Sequence, residues 1–332
     1  MTRQPRKETA RSVSPDAPKS AEGLTPGGLL THSAAARKSS PSDATGSSAP
    51  GIVTIASWSA HPWLIAGFST RQGGASTAYA ADGPPEQNLG YTAEDDPATI
   101  LAARHRLVAA LTKSRNPAPD LITIRQCHSG ILQRVDRADL PLTTADGKAL
   151  LSGDALYTRD PNLLLGILTA DCVPVLVADT RTHAVAAFHA GWRGTVARII
   201  ERGIETLHRD FGSRPQDLIA AIGPSIGACC FAIGPEVREE FTRHFAYAPA
   251  LFSEPAAPTP QLHMDLWEAN RRQLLDAGLA PAAITTIGHC TACTRLPDGR
   301  RQYFSHRAEQ GHTGRMLSLI GTTDRPKLKA KS

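Results

Sequence analysis

The stretch from Leu163 to Thr195, LLLGILTADCVPVLVADTRTHAVAAFHAGWRGT, constrains the fold more than any other part of the chain. It holds three apolar runs, Leu163 to Leu168, Val173 to Ala178 and His183 to Phe188. Each has the length and composition of a buried strand. Asp179 to Thr182 supplies a polar turn between the second and third. Strands joined so tightly run antiparallel, and the start of one lies beside the end of the next. Cys172 precedes the second run and His189 follows the third, so the pairing makes them spatial neighbours.

A glycine-punctuated loop follows His189 and ends at Thr195, read as a helix N-cap. Val196, Ile199, Ile200, Ile204 and Leu207 then recur at helical spacing until Gly212. A glycine loop entering a helix N-terminus favours anions, and Arg193 adds a fork of donors. A thiolate, an imidazole and an anion pocket together suggest metal-assisted chemistry on a phosphate or carboxylate. The alternative is a buried cysteine and a capping histidine in a packed sheet.

The 332 residues suffice for one large core. The formal charge of +5 resides in the ends. Residues 1–50 carry seven Lys/Arg against four Asp/Glu, and residues 322–332 carry four against one. The interval 51–321 is left at −1, which gives no electrostatic case for nucleic acid. No apolar run approaches the ~20 residues of a membrane span, so no membrane association is expected. Residues 1–50 are rich in Ser, Pro, Ala and Gly and are read as a disordered tail. No apolar leader segment is evident. The six cysteines are therefore read as reduced thiols or ligands, and the expected compartment is the cytoplasm.

Along the body, Ile52 to Ala56 and Leu64 to Phe68 read as strands. Arg71, in the glycine-rich turn that follows, is a candidate anion contact or else a solvated arginine. Asp96-Pro97 opens a helix lined by Ile100, Leu107, Val108 and Leu111. Leu121 to Ile124 and Ile131 to Val135 read as strands. His128 between them becomes a third ligand candidate when taken with Cys172 and His189. Cys127 competes with it, and strand alternation admits only one of the two. Asp154 opens a strand and Asp171 precedes Cys172. Either carboxylate could orient a ligating imidazole or act as general acid or base, with turn capping the alternative for Asp171.

Leu218 to Ile222, Ile284 to Ile287 and Met316 to Ile320 read as further strands. Glu236 to Phe245 and a segment capped by Asp265 read as helices, and Ala246 to Pro260 as a loop. Cys229-Cys230 and the Cys290–Cys293 pair could make a four-cysteine zinc site. Buried cysteines near the site wall are the favoured reading.

These motifs in their order resemble the laccase-domain purine nucleoside phosphorylase family, also called polyphenol-oxidase-like proteins. The resemblance is carried by FSTRQGG at 68–74, NLG at 88–90, QCHSG at 126–130, TADCVP at 169–174 and HAGWRGT at 189–195. GPSIGACCF at 223–231, DLWEAN at 265–270, CTAC at 290–293 and FSHR with TGR continue it, over roughly 51–321. It implies a single α/β domain of mixed sheets covered by helices. It also implies one metal site, whose ligands fall by motif on His128, Cys172 and His189. The implied activity is phosphorolysis of adenosine, inosine and S-methyl-5'-thioadenosine, with deamination of adenosine.

Two imidazoles and a thiolate leave one tetrahedral position open, as catalytic zinc requires. Copper is the second candidate, although multicopper chemistry needs clustered imidazoles and the chain has no His-x-His pair. Arg193, Asp171 and Arg71 are the candidate catalytic residues. Purine nucleosides and phosphate are the expected partners, with no obligate protein partner. The other readings are a cysteine hydrolase using Cys172, and amide hydrolysis in cell-wall precursor editing, which some relatives imply. The chain departs from the family at Cys127-His128-Ser129, usually Val-His-Gly, and at His306-Arg307-Ala308, usually Tyr-Arg-Arg. The first bears on metal preference and the second on substrate range.

Overall fold

A computed structural model describes residues 49–253 and 261–323. The tails expected at 1–50 and 322–332 fall almost wholly outside the described residues. In chain order, β1 (Ile52–Val53), β2 (Leu64–Ser69) and α1 (Pro97–Leu111) precede β3 (Asp120–Thr123), β4 (Leu132–Arg134) and β5 (Ala155–Thr158). Next come β6 (Leu163–Thr169), β7 (Val173–Asp179), β8 (Val185–Ala190), α2 (Trp192–Val196), α3 (Ile199–Phe211) and β9 (Leu218–Ile222). Last are α4 (Pro235–His244), β10 (Phe252–Ser253), β11 (His263–Met264), α5 (Leu266–Asp276), β12 (Ile284–Thr286) and β13 (Met316–Thr322). Thr322, assigned by sequence to the basic tail, ends the last strand.

Two sheets lie face to face. One has the order β1-β2-β13-β6-β3, and the other β12-β9-β7-β8-β5-β4. Phe68, Leu165, Ile167 and Ile320 of the first pack against Leu176, Ala178, Ala187 and Ala221 of the second. Leu107 and Val108 of α1 cover the outer face of the first sheet at Leu164 and Leu317. Ile200, Ile204, Phe241 and Leu274, from α3, α4 and α5, cover the second at Val175, Val177 and Phe188. Every residue of β7 is buried, because both of its faces meet apolar layers. Such a strand reads as a continuous apolar run rather than an alternating one.

The expected pairing of β7 with β8 is present, with Pro174 opposite His189 and Val173 opposite Ala190. His189 therefore lies within β8 rather than after it. β6 belongs to the other sheet, so residues 170–172 carry the chain from one sheet to the other. Residues 124–131 make a second crossing, from β3 to β4. The strand read over Ile52 to Ala56 shrinks to two residues before a short 3-10 turn at Ala56–Trp58.

Asp96 and Asp265 cap α1 and α5 through their carboxylates, accepting from Thr99 N at 3.0 Å and Glu268 N at 2.9 Å. The helix expected after Thr195 differs. Gly191 is the N-cap of α2, which lasts only five residues. Arg198 adopts a left-handed conformation (φ 55°, ψ 42°) and breaks the helix before α3. A left-handed residue cannot continue a right-handed helix. Arg198 is held there by Glu201 at 2.8 Å and by His244 O at 2.9 Å. Within α3, Gly203 leaves room for the buried Phe188 ring, since a Cβ there would stand 2.1 Å from Phe188 Cε1.

Candidate metal centre

The two crossings and β8 converge on one point. His128 lies on the first crossing, Cys172 on the second and His189 near the end of β8. Each offers one ligand atom, and these atoms all lie within 4.8 Å of one another. The two imidazole rings meet edge to face, with centroids 4.9 Å apart. Gly191 permits the approach, because a Cβ there would lie 3.0 Å from Cys172 Sγ. Cys127 stands outside the trio, its exposed thiol 3.4 Å from Ser129 Oγ.

A single buried carboxylate organises two of the candidate ligands. Asp154, fully buried just before β5, lies 2.8 Å from His189 Nδ1. It accepts from the amides of His128 (3.0 Å) and Ser129 (2.5 Å) and from Ser129 Oγ (2.7 Å). His128 sits in the left-handed region at φ 59°, and these bonds fix that turn. Nδ1 donates to the carboxylate, which leaves Nε2 of His189 as the nitrogen free to ligate. Burial alone would raise the Asp154 pKa, but His189 and Ser129 outweigh it and hold the group well below the carboxylate range.

Electrostatics favour a thiolate at Cys172 and a proton on His189, which a bound metal would displace. Burial would raise the Cys172 thiol, yet the imidazoles of His128 and His189 bring it down to about 6. Burial would likewise lower His189, yet hydrogen bonds and charge from Asp154 and Cys172 raise it to about 9. The thiolate is the ligating form of cysteine. Two imidazoles and one thiolate suit a borderline-soft ion such as zinc.

The three candidate ligands open into a cleft of about 540 Å³. Arg125, Arg307, Arg315, Tyr91 and Phe231 also line it. Arg125 is tethered to Ser152 Oγ at 2.7 Å, and Arg315 to Thr313 O at 2.7 Å. The Arg307 guanidinium stands 5.6 Å from the centroid of the Phe231 ring. Tyr91 rests against the Arg104 guanidinium at 4.5 Å.

The three residues singled out for catalysis occupy different places. Asp171 lines the cleft, with its carboxylate engaged by Thr291 Oγ1 and the Arg307 amide, each at 2.6 Å. Those bonds hold its left-handed backbone (φ 95°) and so the strap that carries Cys172. Arg193 is exposed and stacks over Trp192 at 4.3 Å, away from the cleft lining. With α2 only one turn long, the expected helix-end anion site has no helix behind it. Arg71 also lies outside the cleft, its guanidinium committed to Glu86 and, at 2.6 Å, to Glu309.

In the sequence, Asp154 and Asp171 are alternative partners for a ligating imidazole. The structure gives that contact to Asp154. The β5–β8 register, Ala155 opposite Phe188, sets Asp154 across from His189. That signal needs the strand order.

A two-sheet α/β sandwich with a three-donor cluster in an arginine-lined cleft defines a candidate metalloprotein. The chain belongs to the family described as multi-copper polyphenol oxidoreductase laccase, whose model matches residues 65–323. It is similar to a purine nucleoside phosphorylase of Bacteroides thetaiotaomicron, 36% identical over 76% of this chain and 89% of that protein. It is equally similar, at 36% over 77% of this chain and 93% of the relative, to the adenosine deaminase RL5 of an unknown prokaryotic organism. Among solved structures, YfiH of Bacillus licheniformis aligns with a TM-score of 0.71 and 31% identity, covering 82% of this chain and 97% of that one. No helix among the described residues is long and apolar enough to cross a membrane.

Proposed function

We propose that this protein is a zinc-dependent purine nucleoside phosphorylase of the cytoplasm. Its substrates are adenosine, inosine and S-methyl-5'-thioadenosine, and it also deaminates adenosine. The observation that carries this reading is the convergence of His128, Cys172 and His189 on a cleft that three arginines also line. Relatives named for phosphorolysis and for adenosine deamination support it. Zinc held by His128, Cys172 and His189 would supply a Lewis acid to the cleft.

The residues of the chain do the rest. Tyr91 and Phe231 offer flat faces to a purine, and Arg125, Arg307 and Arg315 offer fixed donors to phosphate. In phosphorolysis a phosphate oxygen bonds the ribose anomeric carbon as the bond to the purine nitrogen breaks. Held guanidiniums position that nucleophile and lower its entropic cost. Asp171, with its carboxylate engaged, acts by holding the strap of Cys172. Multicopper oxidation needs more imidazoles than the two gathered here.

Product analysis with adenosine and a phosphate titration tests the reading. Adenine and ribose 1-phosphate should appear only with phosphate, and inosine without it. Cys172→Ser should abolish both. Phosphate-independent release of adenine would overturn phosphorolysis, and turnover by metal-free protein would overturn the metal requirement.

A further inference from the structure

A second donor cluster stands apart from the three-ligand centre. β9 and β12 are parallel neighbours, so the loops that follow them leave the same end of the sheet. Backbone bonds zip these loops together, Ser225 N to His289 O at 3.2 Å and Thr291 N to Ser225 O at 3.0 Å. The zip brings Cys229 and Cys230 of one loop to Cys290 and Cys293 of the other. Their four sulfurs all lie within 4.8 Å of one another, with Cys229 and Cys293 at 3.6 Å. A tetrahedral zinc with bonds of about 2.3 Å separates its sulfurs by about 3.8 Å. The expectation of plainly buried cysteines is not met, since only Cys290 is buried and Cys229 and Cys293 are exposed.

We propose that Cys229, Cys230, Cys290 and Cys293 form a second, structural zinc site that clamps the loops after β9 and β12. Four thiolates select zinc or iron, and the close sulfur spacing admits one ion rather than an iron–sulfur cluster. Four protein ligands leave no open position, so the site is structural rather than catalytic. The Gly227 amide donates to Cys290 Sγ at 3.3 Å. Such a donor stabilises a ligating thiolate. Arg307, donating to Cys230 O at 3.4 Å, brings a positive charge beside the cluster.

The clamp reaches the cleft. Ile226 and Phe231 flank the cysteine pair and line its wall, and Thr291 between the other two cysteines holds Asp171. Zinc at this site therefore braces the strap that carries Cys172.

Metal analysis of the full-length protein tests the proposal independently of activity. Wild type should hold about two zinc equivalents. Cys172→Ser and a Cys229→Ser/Cys293→Ser double variant should each hold about one. In case the double variant fails to fold, cobalt-loaded Cys172→Ser provides a second readout, with the intense thiolate charge-transfer bands of a tetrahedral four-sulfur site. A double variant with as much zinc as wild type would overturn the proposal. So would absence of that cobalt spectrum, bound iron in place of zinc, or a Cys229–Cys293 disulfide in protein purified without oxidant.

Discussion

Asp154 accepts from Nδ1 of His189 at 2.8 Å and, through the same carboxylate, from the amide of His128 at 3.0 Å. One buried charge thus aims one candidate ligand and fixes the backbone of another. Asp154→Asn keeps the shape but loses the charge and places a donor where an acceptor is needed. Metal affinity should fall roughly 10- to 100-fold, read by competition with a chelator. An unchanged affinity would show that packing alone orients His189.

The arginines can be separated by position. Arg307 lines the cleft, whereas Arg193 stacks on Trp192 outside it. Loss of one charged hydrogen bond to phosphate costs about 1.5–3 kcal/mol, roughly 10- to 150-fold in affinity. Arg307→Ala should raise the KM for phosphate by that order. Arg193→Ala should change it by about twofold or less, as exposed substitutions do. Steady-state kinetics across a phosphate series checks both, and a large effect confined to Arg193 would return the anion site to the HAGWRGT loop.

Arg71 should matter for stability rather than turnover. Its guanidinium lies between Glu86 and Glu309, with side-chain exposures of 11%, 11% and 16%. Arg71→Ala leaves two carboxylates facing each other and should cost on the order of 3 kcal/mol at neutral pH. Burial already pushes Glu86 above its ordinary value, against the pull of Arg71. Without that pull its folded pKa rises further above the unfolded one, so the folded variant binds more protons. The deficit should therefore shrink as pH falls through the raised pKa. Urea denaturation of both proteins at pH 7 and pH 5 measures the difference.

Gly203 in α3 is a position where a usual stabilising substitution should fail. Alanine gains about 1 kcal/mol over glycine in a helix interior. Here its Cβ would meet Phe188 Cε1 at 2.1 Å, in a layer with no slack. Overpacking of that kind costs about 1–3 kcal/mol, so Gly203→Ala should lower the urea midpoint with metal content intact.

Much of this architecture can be read from residue order. Apolar runs mark β6, β7 and β9, and Asp96 and Asp265 announce their helices. The tight turn after Asp179 is enough to bring Cys172 beside His189. What cannot be read is the division into two sheets, because runs buried on both faces look alike whichever sheet holds them. The break at Arg198 is hidden for a similar reason, since apolar spacing carries across it undisturbed. The choice of Asp154 over Asp171 as the partner of His189 depends on a contact 35 positions away, which local sequence leaves open.

Two of the three candidate ligands ride on the crossings between the sheets, and the third is anchored in a strand of one sheet. The candidate centre therefore sits on a seam, and its donor spacing depends on how the two sheets are set against each other. An ion seated there would act as a rivet through the sandwich and resist shear between layers whose facing sides pack through apolar side chains. Conversely, any strain that slides one sheet past the other is felt first as a change in bite at the metal.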